Sequence, residues 1–153
     1  LKANNNLRTI GVAVSSCILP EVGKPTFELE NDEIEIGMGI HGEPGIKREK
    51  LRKADLLVDD LCKIIFEDFE LSNRDKVSII INSLGATPLE ELYIVSKRVN
   101  EIFVKKDIEI VKSYVGRYAT SLEMAGMSIS VLKLDDDLKN ALLDHSECPF
   151  WIN

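Results

Sequence analysis

The chain has 153 residues, a length that fits one domain able to bury its own hydrophobic core. Hydrophobic residues make up 44% of it and charged residues 29%, which is a globular rather than a disordered composition. Its net charge of −7, from 26 acidic and 19 basic residues, argues against nucleic acid as a partner, because phosphate contacts need a basic surface.

The first third of the chain predicts strands and loops. Residues 8–17 are apolar and rich in β-branched side chains, which indicates a buried strand, and residues 27–30 fit a short strand before a turn. Residues 34–41 alternate as a strand, with one apolar face. That face would consist of Ile34, Ile36, Met38 and Ile40. The basic residues 47–53 are interpreted as a solvated loop, with a docking patch for an anionic group as the alternative.

The middle of the chain predicts a helix, a strand and a second helix. Residues 54–69 have the helical period, and residues 76–82 form an apolar run typical of a strand buried on both faces. Thr87, Pro88 and Glu90 match a capping box with proline at the first helical position, so the second helix should begin there. It should end at about Lys106.

Two further strands, at residues 108–115 and 127–134, precede a short helix capped by residues 135–137. The aromatic tail at residues 148–153 should pack back on the body. The alternation of elements predicts a single α/β domain with one mixed β-sheet of about five or six strands and helices packed against it. The connection from residue 76 to residue 115 fits a right-handed β-α-β crossover.

The three cysteines, Cys17, Cys62 and Cys148, are odd in number and form no C-x-x-C pair. They favour a reducing compartment, and we expect a cytoplasmic protein. No apolar run reaches the ~18–20 residues that span a bilayer, so no membrane partner is expected. The polar start LKANNN is interpreted as a frayed end or as the tail of a helix from a further domain.

The segment IEIGMGIHGEPG contains one of the two histidines of the chain. Gly37 and Gly39 precede His41 on the same face of the predicted strand, which leaves room for a small ligand beside the imidazole. A neutral imidazole is both a nucleophile and a general base near pH 7, and Glu43 could orient the ring. A histidine at a strand end can also simply satisfy local backbone groups. The pattern alone leaves both interpretations open.

Other polar segments also have two interpretations each. The amides of residues 83–88 could bind an anion at a helix N-terminus, or simply form a well-capped connection. Arg117 could contact an anionic partner or pair with Glu123 on the surface. It belongs to a polar cluster formed by Tyr114, Arg117, Tyr118, Thr120, Ser121 and Glu123. Helix-terminal positions explain residues 135–137 and His145, and no metal site is predicted.

Three stretches resemble the dihydroxyacetone kinase family. GIHGEPG, at residues 39–45, is similar to that family's substrate-binding signature. INSLGATPLEELY resembles a later strand-to-helix element of the family, and GRYATSLEMAGMSISVLKLDDD resembles its closing strands. The resemblance extends from about Leu7 to Asp137. It identifies residues 1–153 with the second, C-terminal domain of the dihydroxyacetone-binding subunit.

The resemblance implies that His41 bonds covalently to the ketone carbon of dihydroxyacetone as a hemiaminal, with Gly39, Gly42 and Glu43 beside it. A nitrogen nucleophile adds to a carbonyl but not to an alcohol, so such a site selects the ketose over glycerol. The bond would also hold the terminal hydroxyl in place for phosphoryl transfer.

The family's acid/base pair belongs to a first domain that has no counterpart in this chain, so the chain alone should be inactive and supply no catalytic residue. Magnesium and ATP or ADP are expected on a partner kinase subunit or domain, with a phosphotransferase relay favoured as the phosphate source. A homodimer is expected. Two alternatives stay open: a non-catalytic paralogue that co-activates transcription, and a dimerisation and docking module.

Overall fold

The computed structural model describes residues 1–40 and 43–153. The main elements in chain order are α1 (Lys2–Asn5), β1 (Leu7–Ala13), β2 (Glu33–Ile36), β3 (Lys47–Lys50), α2 (Ala54–Asp68), β4 (Lys76–Ser83), α3 (Leu89–Lys105), β5 (Glu109–Gly116), β6 (Gly126–Leu134) and α4 (Asp136–Leu143). The tail forms a small hairpin of β7 (Glu147–Cys148) and β8 (Trp151–Ile152). None of the helices described is long and apolar enough to cross a membrane.

The main sheet has six strands in the order β3-β2-β1-β6-β4-β5. Only β4 and β5 are parallel, and α3 connects them, as the predicted β-α-β crossover requires. The other pairs are antiparallel, including the long pairs of β6 with β1 and with β4. The predicted fold class, one mixed sheet of five or six strands with helices packed against it, is confirmed.

The hydrophobic core lies between one face of this sheet and the helices α2 and α3. Alternate residues of the central strands, such as Val12, Ile79 and Ile129, point into it and are almost fully buried. Helix α2 contributes Leu57 and Leu61, as its predicted apolar face requires. Because strand side chains alternate, residues between these positions lie on the opposite face of the sheet, which the two long helices do not cover.

Two predictions for the first third of the chain are wrong. Residues 27–30 form no strand, because their backbone groups bond to side chains: the amide of Glu30 donates to Glu33, and Arg48 donates to the carbonyl of Glu28. Residues 47–50 are not a loop but the edge strand β3, which pairs with β2 along its whole length. Lysine-rich strands are typical of sheet edges, where charge discourages pairing with other chains.

The predicted strand at residues 34–41 is also too long. Strand β2 ends at Ile36, because Gly37 adopts a φ of +85°, in the left-handed region that strands do not use. A side chain at position 37 would also meet the backbone nitrogen of Ile46 at 2.9 Å. The chain therefore leaves the sheet at Gly37 and crosses over the sheet face that α2 and α3 do not cover.

The capping box predicted at Thr87 does not form. Helix α3 begins at Leu89 with Pro88 as its N-cap and no side-chain cap. The Thr87 hydroxyl instead donates to the carbonyl of Gly126 at 2.7 Å and accepts from the Gly126 amide at 2.9 Å. The cap predicted for the last helix is confirmed, since the Asp135 side chain accepts from the amide of Leu138 at 2.9 Å.

Candidate functional site

A cavity of about 560 Å³ lies on the sheet face opposite α2 and α3. Its floor consists of residues of three neighbouring strands, small or polar except for one isoleucine: Thr9 and Gly11 of β1, Ser128 and Ser130 of β6, and Ile80 and Asn82 of β4. One wall is the segment that follows β2, and the opposite wall is formed by Leu84, Tyr118 and Ala119. The cavity therefore depends on strands far apart in the sequence.

Hydrogen-bonding side chains line the floor of this cavity. The hydroxyls of Thr9 and Ser130 lie 2.7 Å apart, and one donates to the other across the β1–β6 pair. The hydroxyl of Ser128 accepts a hydrogen bond from Nδ2 of Asn82 at 3.2 Å. These side chains give a mostly apolar cavity a few positions at which a small ligand with hydroxyl or carbonyl groups could form hydrogen bonds.

Asn82 connects the floor to the wall at Tyr118. Its Oδ1 accepts hydrogen bonds from the amides of Tyr118 and Ala119, at 2.8 Å and 2.9 Å. Its Nδ2 donates to the carbonyl of Ala119 at 2.8 Å in addition to Ser128. The buried Asn82 side chain thus fixes the turn after β5. Sequence reasoning missed this role, because the residue is hidden within the apolar run of β4.

Tyr118 places an aromatic ring at this wall. Burial raises the pKa of its phenol above the ordinary value. Its ring also packs edge-on against Trp151 of the tail, with centroids 5.3 Å apart. The prediction that the tail packs back on the body is confirmed, and the packing lies beside the cavity.

The other wall carries two of the predicted site residues. The amide of Gly37 donates to the carbonyl of Gly11 at 2.7 Å, which starts the crossing over the sheet. A side-chain carbon at Gly11 would lie 2.6 Å from the carbonyl oxygen of Met38, so the crossing segment rests directly on the bare backbone of β1. Gly39, Ile40 and Glu43 then line the cavity.

Gly39 and Glu43 are in close contact. A side-chain carbon at position 39 would lie 2.6 Å from Oε2 of Glu43, so the carboxylate occupies the space that glycine leaves open. His41 and Gly42, the other two predicted substrate-binding residues, lie outside the described residues. The structure therefore brings Gly39 and Glu43 to one cavity and leaves the interpretation of His41 and Gly42 as a prediction.

Glu35 fixes the far end of the same segment. Its Oε1 accepts a hydrogen bond from the amide of Gly45 at 2.7 Å, and its Oε2 accepts one from Nε of Arg48 at 3.1 Å. The amide of Ile46 donates to the carbonyl of Ile36 at 2.7 Å just beside it. Sequence reasoning assigned Glu35 only to the polar face of its strand and gave no signal that it is buried.

The remaining candidates have structural roles. The amides of Leu84, Gly85 and Ala86 all donate within the protein, so this connection offers none of them to an anion. No ion pair joins Arg117 to Glu123 in the part of the chain that the structure describes, and Glu123 instead accepts from the amide of Ile18 at 2.6 Å. Residues 1–40 and 43–153 contain no cluster of His, Cys, Asp and Glu arranged for a metal ion.

Comparison with known proteins gives one consistent result. The sequence profile described as the Dak1 domain matches residues 1–150. The dihydroxyacetone-binding subunit of PTS-dependent dihydroxyacetone kinase 2 from Listeria innocua is 45% identical over 150 residues, which are 98% of this chain and 45% of that protein. This chain therefore spans less than half the length of that relative.

Two solved structures have the same fold. The native dihydroxyacetone kinase of C. freundii matches with a TM-score of 0.84 and 26% identity, over 98% of this chain and 27% of the other. The dihydroxyacetone kinase operon co-activator Dha-DhaQ matches with a TM-score of 0.83 and 27% identity, over 92% of this chain and 43% of the other.

Proposed function

Because the chain belongs to the Dak1 domain family, we propose that it forms the ketose-binding part of a dihydroxyacetone kinase, corresponding to the C-terminal domain of the dihydroxyacetone-binding subunit. The observation that supports this best is the cavity on the open face of the sheet, whose mostly apolar lining carries a few hydrogen-bonding side chains. Gly39, Ile40 and Glu43, which flank His41 in the sequence, line it, and its floor presents hydroxyl groups.

The proposed chemistry is addition of His41 to the ketone of dihydroxyacetone. A neutral imidazole nitrogen donates its electron pair to the carbonyl carbon, and the carbonyl π electrons move to the oxygen. The oxygen gains one proton while the imidazole loses one, so the neutral hemiaminal forms without net proton uptake. Gly39, Gly42 and Glu43 would bind or border the ligand. The bond would hold the terminal hydroxyl in one orientation, a large advantage for a later transfer step.

Phosphoryl transfer is proposed to need groups outside this chain. The residues that the structure describes contain no group of three or more His, Cys, Asp and Glu side chains arranged around a metal ion. We assign magnesium and the nucleotide to a partner kinase subunit or domain, and the acid/base pair to a further domain. Phosphate from a phosphotransferase relay agrees with the name of the Listeria relative. A homodimer acting in the cytoplasm is the proposed setting, in keeping with three free cysteines.

A second candidate function is co-activation of transcription. It is favoured by the TM-score of 0.83 to an operon co-activator, which is as similar in fold as the kinase. Both functions would use the same ketose site. Phosphorylation of dihydroxyacetone by the natural protein with its kinase partner would distinguish them, because a co-activator would bind the ketose without turning it over.

The covalent step can be tested by ¹³C NMR with dihydroxyacetone labelled at its ketone carbon, using the natural protein with any further segment it carries. We expect a tetrahedral carbon signal from the wild-type protein and none from His41→Ala. The matched control is His145→Ala, because His145 is the only other histidine and its side chain is 74% exposed. Absence of the signal in the wild-type protein, or its persistence in His41→Ala, would contradict the covalent proposal.

The same variants test whether His41 has only a structural role. We expect His41→Ala to keep the melting temperature of the wild-type protein while losing ketose binding, because the residue is predicted to border an open, glycine-lined site. A large decrease in melting temperature with unchanged affinity of the folded fraction would favour the structural interpretation instead.

A further inference from the structure

We propose that Glu35 is a positioning residue, which fixes the described residues 37–40 and 43–45 of the segment that lines the cavity. This proposal rests on the proposed function, since the same segment carries His41. Glu35 lies two residues before Gly37, where the chain leaves the sheet, and its side chain reaches the backbone at the far end of the segment. Its Oε1 accepts from the Gly45 amide at 2.7 Å, so a single side chain joins both ends.

Burial of a carboxylate within the sheet is unusual. The Glu35 side chain is only 5% exposed, whereas its cationic partner Arg48 is 45% exposed. A buried carboxylate loses its hydration, and an apolar side chain of similar size often stabilises a protein at least as well. A carboxylate at this position is better explained by its two acceptor oxygens, which bind two donors in different directions.

The second acceptor connects the segment to its surroundings. Oε2 of Glu35 accepts from Nε of Arg48 at 3.1 Å, and the same guanidinium donates to the carbonyl of Glu28 at 3.0 Å. Strand β2, strand β3 and the irregular residues before β2 are thereby joined around one carboxylate. This links the base of the segment to the rigid sheet instead of leaving it held by backbone contacts alone.

The backbone at the far end is shaped for this contact. A side-chain carbon at Gly45 would lie 2.8 Å from Cγ of Glu35 and would collide with the carbonyl oxygen of Ile36. Position 45 must therefore lack a side chain for the Glu35 carboxylate to reach its amide. The Ile46 amide donates to the Ile36 carbonyl at 2.7 Å, so the chain returns to the sheet directly before β3.

Positioning of this kind matters for the proposed addition reaction. A nucleophile must approach its carbonyl within a narrow range of distance and angle, and a displacement of about 1 Å can cost about a hundredfold in rate. Gly39 and Glu43, which line the cavity, lie within the segment that Glu35 anchors. Loss of the anchor should therefore weaken ketose binding even when the fold is intact.

The test measures the dissociation constant for dihydroxyacetone by calorimetry and the hydrogen exchange of the Gly45 amide, in the natural protein with any further segment. We expect Glu35→Ala to raise the dissociation constant by at least about tenfold and to accelerate Gly45 exchange. Glu35→Gln keeps one acceptor oxygen for two donors, so it should raise the constant less, by roughly two- to tenfold. It also serves as the decisive variant should Glu35→Ala fail to fold.

The matched control is Asp59→Asn, which removes the paired ion interaction of Asp59 with Arg98, at 2.8 Å and 2.9 Å, on the helical side of the sheet. It should leave both the dissociation constant and Gly45 exchange unchanged. An unchanged constant in both Glu35 variants, or an equal rise in Asp59→Asn, would overturn the proposal.

Failure of the proposed function and failure of the Glu35 proposal give different results in these measurements. If the wild-type protein binds no dihydroxyacetone, the proposed function fails, and Gly45 exchange in Glu35→Ala or Glu35→Gln alone decides the anchoring role. Unchanged exchange there would refute it. If the wild-type protein binds the ketose without a tetrahedral carbon signal, only the covalent step fails, and the comparison of dissociation constants still decides the role of Glu35.

Discussion

The amide of Tyr118 donates a hydrogen bond to Oδ1 of Asn82 at 2.8 Å, and this contact connects the buried strand β4 to the turn that forms one wall of the cavity. Asn82 uses both ends of its side-chain amide within the protein, toward Tyr118, Ala119 and Ser128. The buried Asn82 side chain therefore has two roles. It stabilises the end of β4, and it orients the cavity wall at Tyr118.

We expect Asn82→Ala to lower the free energy of unfolding by about 2–4 kcal/mol, because it removes four hydrogen bonds made by a buried side chain. Urea unfolding followed by circular dichroism measures this. The control is Ser78→Ala on the same strand, which removes one hydrogen bond to the carbonyl of Lys112 at 3.2 Å and should cost about 1 kcal/mol. Equal losses in the two variants would show that Asn82 does not organise the turn.

Gly39→Ala should separate binding from stability. The added carbon would lie 2.6 Å from Oε2 of Glu43, which is the end of a flexible side chain and can move. We expect a stability change below about 1 kcal/mol, together with a several-fold weaker affinity for dihydroxyacetone, because the Glu43 carboxylate is displaced. Calorimetric titration and urea unfolding of the same samples provide both values.

The contrasting variant is Gly11→Ala, where the added carbon would lie 2.6 Å from the backbone carbonyl of Met38. A backbone atom cannot rotate away, so we expect a loss of about 1–3 kcal/mol in addition to weaker binding. A Gly39→Ala protein with unchanged affinity would show that the Gly39–Glu43 contact has no part in the site.

The sheet could be predicted from the sequence because its central strands are long and apolar. Strand β4 contains an apolar run and β6 alternates apolar with polar residues, so each must place one face in a core. The capping carboxylate of Asp135 marks the start of α4 by local chemistry alone. These elements depend on composition and on neighbours in the sequence. Their bounds agree with the prediction to within one or two residues.

The elements that were missed depend on distant partners. The sequence of strand β3 predicts a charged loop, because the pairing with β2 that makes it a strand is not visible in its own residues. Thr87 stands at a position typical of a helix N-cap, but its hydroxyl donates instead to the carbonyl of Gly126, which is 39 residues away in the sequence. The role of Glu35 could not be predicted either, because nothing in a strand pattern states that a carboxylate will be buried against Gly45 and Arg48.

Cys62 should make stability sensitive to alkaline pH. Burial raises the pKa of its thiol from the ordinary value of 9.0 to about 12. Above pH 9 the unfolded chain releases the thiol proton while the folded chain retains it, so rising pH favours unfolding. We expect the stability advantage of the wild-type protein over Cys62→Ala to shrink by about 1.4 kcal/mol per pH unit between about pH 9.5 and 11.

Urea unfolding at several pH values measures this difference, in which the titration of lysines and tyrosines common to both proteins cancels. Cys148→Ala is the control, because it removes a cysteine that is exposed instead of buried. A difference between the wild-type protein and Cys62→Ala that stays constant up to pH 11 would contradict the prediction.

The tail offers a spectroscopic test of its own, because Trp151 is the only tryptophan. Its ring lies 4.6 Å from that of Tyr114, whose hydroxyl donates to Oδ1 of Asn153 at 2.7 Å. We expect Tyr114→Phe to lose about 1 kcal/mol of stability and to shift the tryptophan emission to longer wavelength, because the hydrogen bond that holds the tail is lost. Tyr93→Phe, an exposed change on α3, should alter neither. An unchanged emission spectrum in Tyr114→Phe would show that ring packing alone holds the tail beside the cavity wall at Tyr118.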